Sequence, residues 1–130
     1  MTTFGIRKAL RATYDEALTR IPEALKLEGF GVLTEIDIQS TLKQKLGVDF
    51  RRYKILGACN PPFAHEALQE ELAAGLLLPC NVVVYETDDR RAMVMAVDPT
   101  QTVAATGNAK LGKIADKVKE KLARAIAKLE

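Results

Sequence analysis

Two short segments carry most of the chemistry this sequence could do: Cys59-Asn60-Pro61-Pro62-Phe63-Ala64-His65 and Leu78-Pro79-Cys80-Asn81. Cys59 ends a predicted strand just before a helix start, where free amide hydrogens and the helix dipole favour a thiolate. Such a setting lowers a cysteine pKa from about 8.5 toward neutrality. Cys59 is therefore the candidate nucleophile, and Cys80 its resolving partner if their α-carbons come within about 7 Å. The competing reading is that both are small buried apolar residues, as free cysteines commonly are. His65, the one histidine, lies in the first two turns of the same helix. A Cys/His dyad would need no second base, but a lone histidine at a helix start with Glu66 beside it is more often a surface residue. Cys59, His65 and Cys80 would number three zinc ligands, but without a CxxC or a second histidine the spacing is no recognised zinc pattern, and no metal is expected.

Glu35 and Asp37 flank Ile36 on one predicted strand and so share a face, with Lys43 and Lys45 following on a short helix. They suit a polar patch or an acid/base pair, against the plainer alternative of a solvated edge with ordinary ion pairs. Gly29-Phe30-Gly31 lacks the third glycine and the lysine of phosphate-binding loops, which argues against nucleotide binding; no cofactor is expected. Net charge is only +2, from 19 Lys and Arg against 17 Asp and Glu. Residues 108–130 hold seven basic and three acidic side chains, +4, which leaves −2 for the rest. These lysines alternate with Asp116 and Glu120 and have no aromatic neighbours for base stacking, so no nucleic-acid partner is expected.

A chain of 130 residues that is 48% apolar and 28% charged suits one globular domain over residues 1–130, with a core of its own. No apolar run approaches the roughly 20 residues needed to cross a bilayer, and Met1 to Ala12 lacks the layout of a signal peptide. Two cysteines are too few for a disulfide scaffold, so the expectation is a cytoplasmic protein with free thiols and no membrane partner.

The elements that must position these residues are legible in outline. Phe4 to Ala12 predicts a strand, and Thr13 with Glu16 the capping box of a helix that stops at Glu28-Gly29. Pro22 falls inside that helix, where a kink is expected. Phe30 to Ile38 reads as a strand, and Ser40 to Leu46 as a short helix begun by Ser40 or Thr41 and ended by Gly47. Tyr53 to Ala58 is a third strand. Asn60 is then the expected cap of a helix over Phe63 to Leu72, with Pro61 and Pro62 in its first turn. Gly75 to Cys80 reads as a linker, and Asn81 to Tyr85 pairs with Ala92 to Val97 across Thr87-Asp88-Asp89-Arg90 as a hairpin. Leu111, Ile114, Val118, Leu122, Ala125 and Leu129 mark a final amphipathic helix. This order predicts an α+β fold in two layers, a mostly antiparallel sheet with helices on one face.

The runs Glu28 to Asp37, Tyr53 to Pro62 with Ala64, and Leu77 to Asn81 resemble the bacterial and archaeal family called domain of unknown function 302, over roughly Thr13 to Pro99. The resemblance implies a curved sheet with a β-α-β4-α core, like half of a TATA-binding protein, though such a fold does not carry function with it. It also implies motif positions at Glu35, Lys43, Gly57, Cys59, Asn60, Pro61, Ala64, Leu78, Pro79 and Cys80, and no established activity. The leading reading is a small-molecule pocket between sheet and helices, lined by Cys59, Asn60, Cys80, Glu35 and Lys43. The alternatives are a thiol enzyme or redox protein using Cys59 with Cys80, and a homodimer joined through a strand edge or the C-terminal helix.

Overall fold

The computed structural model describes residues 5–130; Met1 to Phe4, which include the first residue of the first predicted strand, lie outside it. Strand β1 (Gly5–Ala9) leads to helix α1 (Tyr14–Leu27), β2 (Gly31–Asp37), α2 (Ile38–Leu46), β3 (Tyr53–Cys59) and α3 (Pro61–Glu70). A 3-10 turn over Leu72–Leu77 then precedes β4 (Cys80–Glu86), β5 (Ala92–Val97), α4 (Pro99–Ala104) and α5 (Ala109–Ala127). The five strands form one antiparallel sheet in the order β1-β5-β4-β3-β2, and the α+β reading holds.

The central strands show why helices sit on one face. Val82 and Val84 of β4 and Ala92, Val94 and Ala96 of β5 are buried, while the residues between them are exposed or half-buried. That period of two is the mark of a sheet with one covered face. The cover is α1, through Tyr14, Ala17, Ile21 and Leu25, and α5, through Leu111, Ile114, Val118, Leu122 and Ala125. The predicted stripe of the last helix is thus its core face.

Local signals set the helix ends. The Thr13 hydroxyl accepts from the Glu16 amide at 3.2 Å, and the Glu16 carboxylate accepts from the Thr13 amide at 2.9 Å. A Thr13→Ala variant removes the first bond and keeps the backbone donor of the second, so it is expected to lose about 1 kcal/mol of stability in urea unfolding. The helix runs on through Pro22, and Gly29 follows it with φ +87°.

Three expectations need correction. Helix α2 starts at Ile38, not at Ser40 or Thr41, because the Asp37 carboxylate accepts from the Ser40 amide at 2.9 Å and makes the cap one turn earlier. The segment read as a linker carries the 3-10 turn, followed by a cis Leu78-Pro79 bond. Helix α4 was not anticipated, although Asp98, whose carboxylate accepts from the Thr100 amide at 3.0 Å, stands before Pro99 as Asn60 does before Pro61.

Candidate functional site

Cys59, Asn60 and Cys80 meet because β3 and β4 pair with Ala58 opposite Cys80. This register sets the end of one strand beside the start of the next, under the first turns of α3. All three side chains line a cavity of about 60 Å³ that is partly open to the surface. Phe63, Ala64 and Ala67 of α3 form one wall, and Leu77 and Leu78 another. Thr102 and Val103 of α4 and Leu111, Ile114 and Val118 of α5 close the rest. The lining is almost wholly apolar.

Asn60 is the exception that gives the cavity chemistry. It stands at the cap position of α3, but its side chain makes no capping bond; instead Nδ2 donates to the Glu28 carbonyl at 3.1 Å. Asn60 is only 8% exposed, and among the described residues its Oδ1 accepts no protein hydrogen bond within the cavity's lining. Asn60 thus holds the expected cap position but not with its side chain: Nδ2 turns to the end of α1, and Pro61 and Pro62 bring no amide hydrogens to the first two helix positions for Oδ1 to accept. Glu28 is itself tied down, accepting from Arg124 at 3.0 Å and Lys128 at 3.2 Å. The Arg124 hydrogen bond, more than the Lys128 one, holds its carboxyl below the usual range against the opposing effect of burial.

The two thiols share the cavity but not an environment. Cys59 is half-buried at the strand end, whereas Cys80 is buried and unbonded to it. Burial, with the Cys59 thiol adding to it, pushes Cys80 up to about 11. His65 is exposed and absent from the lining, so the structure does not assemble a Cys/His pair. No three His, Cys, Asp or Glu side chains among the described residues come together as a metal-holding group.

Glu35 and Lys43 do not join this site. Glu35 Oε1 pairs with Lys54 Nζ at 2.6 Å on the open strand β2, and Lys43 pairs with Asp49 at 3.0 Å beyond the sheet, both partners well exposed. Asp37 serves as the α2 cap. The shared face of Glu35 and Asp37, deduced from alternation, is real: they stand opposite Leu56 and Lys54. It turns toward the start of α1, where Tyr14 is pushed up to about 12 by burial first and by Asp37 second. Five residues expected around one pocket thus divide into two groups, and the apolar residues of α4 and α5 complete the cavity.

Residues 6–129 match the model of a family described as Domain of unknown function DUF302. The fold is similar to the crystal structure of an uncharacterized conserved protein DUF302 from Bacillus stearothermophilus. That match has a TM-score of 0.92 and 32% identity, and covers 99% of this chain and 100% of that one. No curated protein matches the chain. No helix in the described residues is long and apolar enough to cross a membrane.

Proposed function

Since the chain belongs to the family Domain of unknown function DUF302, which brings a fold without an activity, we propose a function from the cavity itself: it binds a small, mostly apolar molecule that offers one hydrogen-bond donor to Asn60. The observation that carries this reading is the buried Asn60 side chain, with an acceptor to spare, in a lining otherwise almost free of polar groups. An unmatched acceptor in such surroundings is costly, and a ligand that satisfies it gains both orientation and affinity. The volume admits a group of only a few heavy atoms, so the rest of the ligand projects through the open side.

Phenol and benzene differ by the one hydroxyl that matters here, and either can be titrated while backbone amide resonances are followed. Phenol is expected to bind saturably, perturbing Asn60, Ala67 and Leu111, and about fivefold more tightly than benzene, the factor one hydrogen bond supplies. Asn60→Ala should erase that preference, and Ala64→Leu, which fills the cavity from its half-exposed wall, should weaken both. Perturbations elsewhere, or none with either probe, would remove the proposal.

The thiol alternative draws support from Cys59 and Cys80 lining one cavity. Against it stand a buried Cys80 whose thiol is held protonated and the lack of a histidine or carboxylate in that lining to act as base.

A further inference from the structure

We propose that the cavity's ligand is an uncharged single-chain amphiphile, whose donor-bearing end sits at Asn60 and whose alkyl tail lies in a second space, a surface groove of about 200 Å³. This inference rests on the binding role proposed above for Asn60 and names the class of molecule that fills it. Groove and cavity share a wall: Ala74, Leu77 and Leu111 line both. Ala74 and Leu111 are buried, whereas Leu77 is half-buried, so Leu77 is the side chain whose rotation lets a tail pass from one to the other. The 3-10 turn that carries Leu77 suits this. It runs for six residues, longer than such a turn usually lasts because its hydrogen bonds are poorly aligned, and an element of that kind yields at low cost.

Three observations specify the tail. The groove's apolar lip is held out in water: Leu76, which lines it with Ala73, is 87% exposed, and an alkyl chain laid there takes this leucine out of solvent. The groove's polar atoms already have partners. Asn108 Oδ1 accepts from the Lys110 and Leu111 amides at 3.0 and 3.1 Å, the Thr106 hydroxyl donates to the Val103 carbonyl at 2.7 Å, and the Glu71 carboxylate accepts from the Ala73 amide at 3.4 Å. The groove therefore suits methylenes, the reverse of Asn60 in the cavity. The same inventory decides the charge. Among the described residues no Lys, Arg or His lines either space, and the one charged group at the groove is Glu71, so a fatty acid or other anion finds no counter-ion. An alcohol, phenol or primary amide on a linear tail meets all three conditions.

Titration of phenol, 4-butylphenol and 4-hexylphenol, followed through backbone amide resonances, tests the tail separately from the head. A methylene taken fully out of water is worth about fourfold in affinity; in a groove open on one side about twofold is expected, so 4-hexylphenol should bind about 50-fold more tightly than phenol. The hexyl tail should shift the amides of Ala73, Leu76 and Thr106, which phenol leaves unmoved. The anionic analogue 4-hexylbenzoate should bind at least about tenfold more weakly than 4-hexylphenol. In Ala73→Phe, whose ring occupies the groove, the ratio of 4-hexylphenol to phenol affinity should fall to a few-fold. If phenol binds but the tail adds nothing, shifts resonances outside the groove, or keeps its full advantage in folded Ala73→Phe, the tail assignment is overturned while the Asn60 reading stands. Tighter binding of 4-hexylbenzoate overturns the uncharged class. If phenol itself does not bind, the Asn60 reading falls and this inference with it. Should Ala73→Phe not fold, the wild-type alkyl series and its resonances decide.

Discussion

Gly57→Ala is expected to cost about 3 kcal/mol of folding free energy, at the upper end for one added methyl in a packed region. A Cβ at this position would point to the uncovered face of the sheet, where it would overlap Thr34 Oγ1 and lie 2.8 Å from Pro79 Cγ. The Thr34 hydroxyl can turn away, but the Pro79 ring is held by the chain on either side of it. Thr34→Ala in the same chain should therefore restore only part of the loss, and the shortfall measures the Pro79 contact. Urea unfolding of the wild type, both single variants and the double variant tests this. A Gly57→Ala midpoint within error of the wild type, or full recovery in the double variant, would refute the account. The position also matters to the cavity. With no side chain at 57, Leu78-Pro79 can lie across β3 and deliver Cys80 opposite Ala58. A resemblance that places Gly57, Pro79 and Cys80 in one motif thus has a physical unit behind it.

How much of this was legible depended on whether the signal was local. Thr13 and Glu16 lie three residues apart and find each other through one turn of helix, so the capping box could be read from the sequence. The α5 stripe was equally plain, because burial of a helix repeats every three to four residues whatever it packs against. The cavity was only half legible. Cys59 and Cys80 were paired by standing at the ends of neighbouring strands, but Leu111, Ile114 and Val118 looked like generic core, and only the tertiary fold brings α5 against α3. Glu35 and Lys43 were grouped with the thiols by motif membership. Alternation on β2 put Glu35 opposite Leu56 and beside Lys54, and chain order could not reveal that partner. Asn60 shows the limit most clearly: its type and place predict the cap position correctly, but chain order could not reveal that its side-chain N–H donates to a carbonyl 32 residues away. The two faces of β4 and β5 read alike in sequence because Val82 and Val83 are both valine, and only the helices on one side distinguish them.

In the native protein, Cys80 is expected to alkylate at least about 100-fold more slowly at pH 8 than in the unfolded chain. Its thiol is held at about 11 against an ordinary value of 9.0, chiefly by burial. Each unit lowers the thiolate fraction tenfold, and the thiolate is the reacting species. The same shift acts on stability. The folded chain keeps this proton longer than the unfolded one, so the stabilisation is complete below about pH 9 and is lost as pH rises toward 11, by about 2–3 kcal/mol. Cys80→Ala should lack that loss, and the difference between the two proteins isolates it from the tyrosines, Tyr14 included, which both retain. Mass-spectrometric assignment after brief alkylation separates the two sites, and Cys59, half-buried where Cys80 is buried, should be modified first. Phenol at saturation should then slow Cys59, because Cys59 and Asn60 line the same cavity. If Cys80 instead reacts as fast in the native protein as in the unfolded chain, burial does not govern it, and the paired-thiol reading displaces the binding one. If Cys59 reacts first and phenol protects it, one experiment ties the thiol, the amide and the cavity into a single binding site.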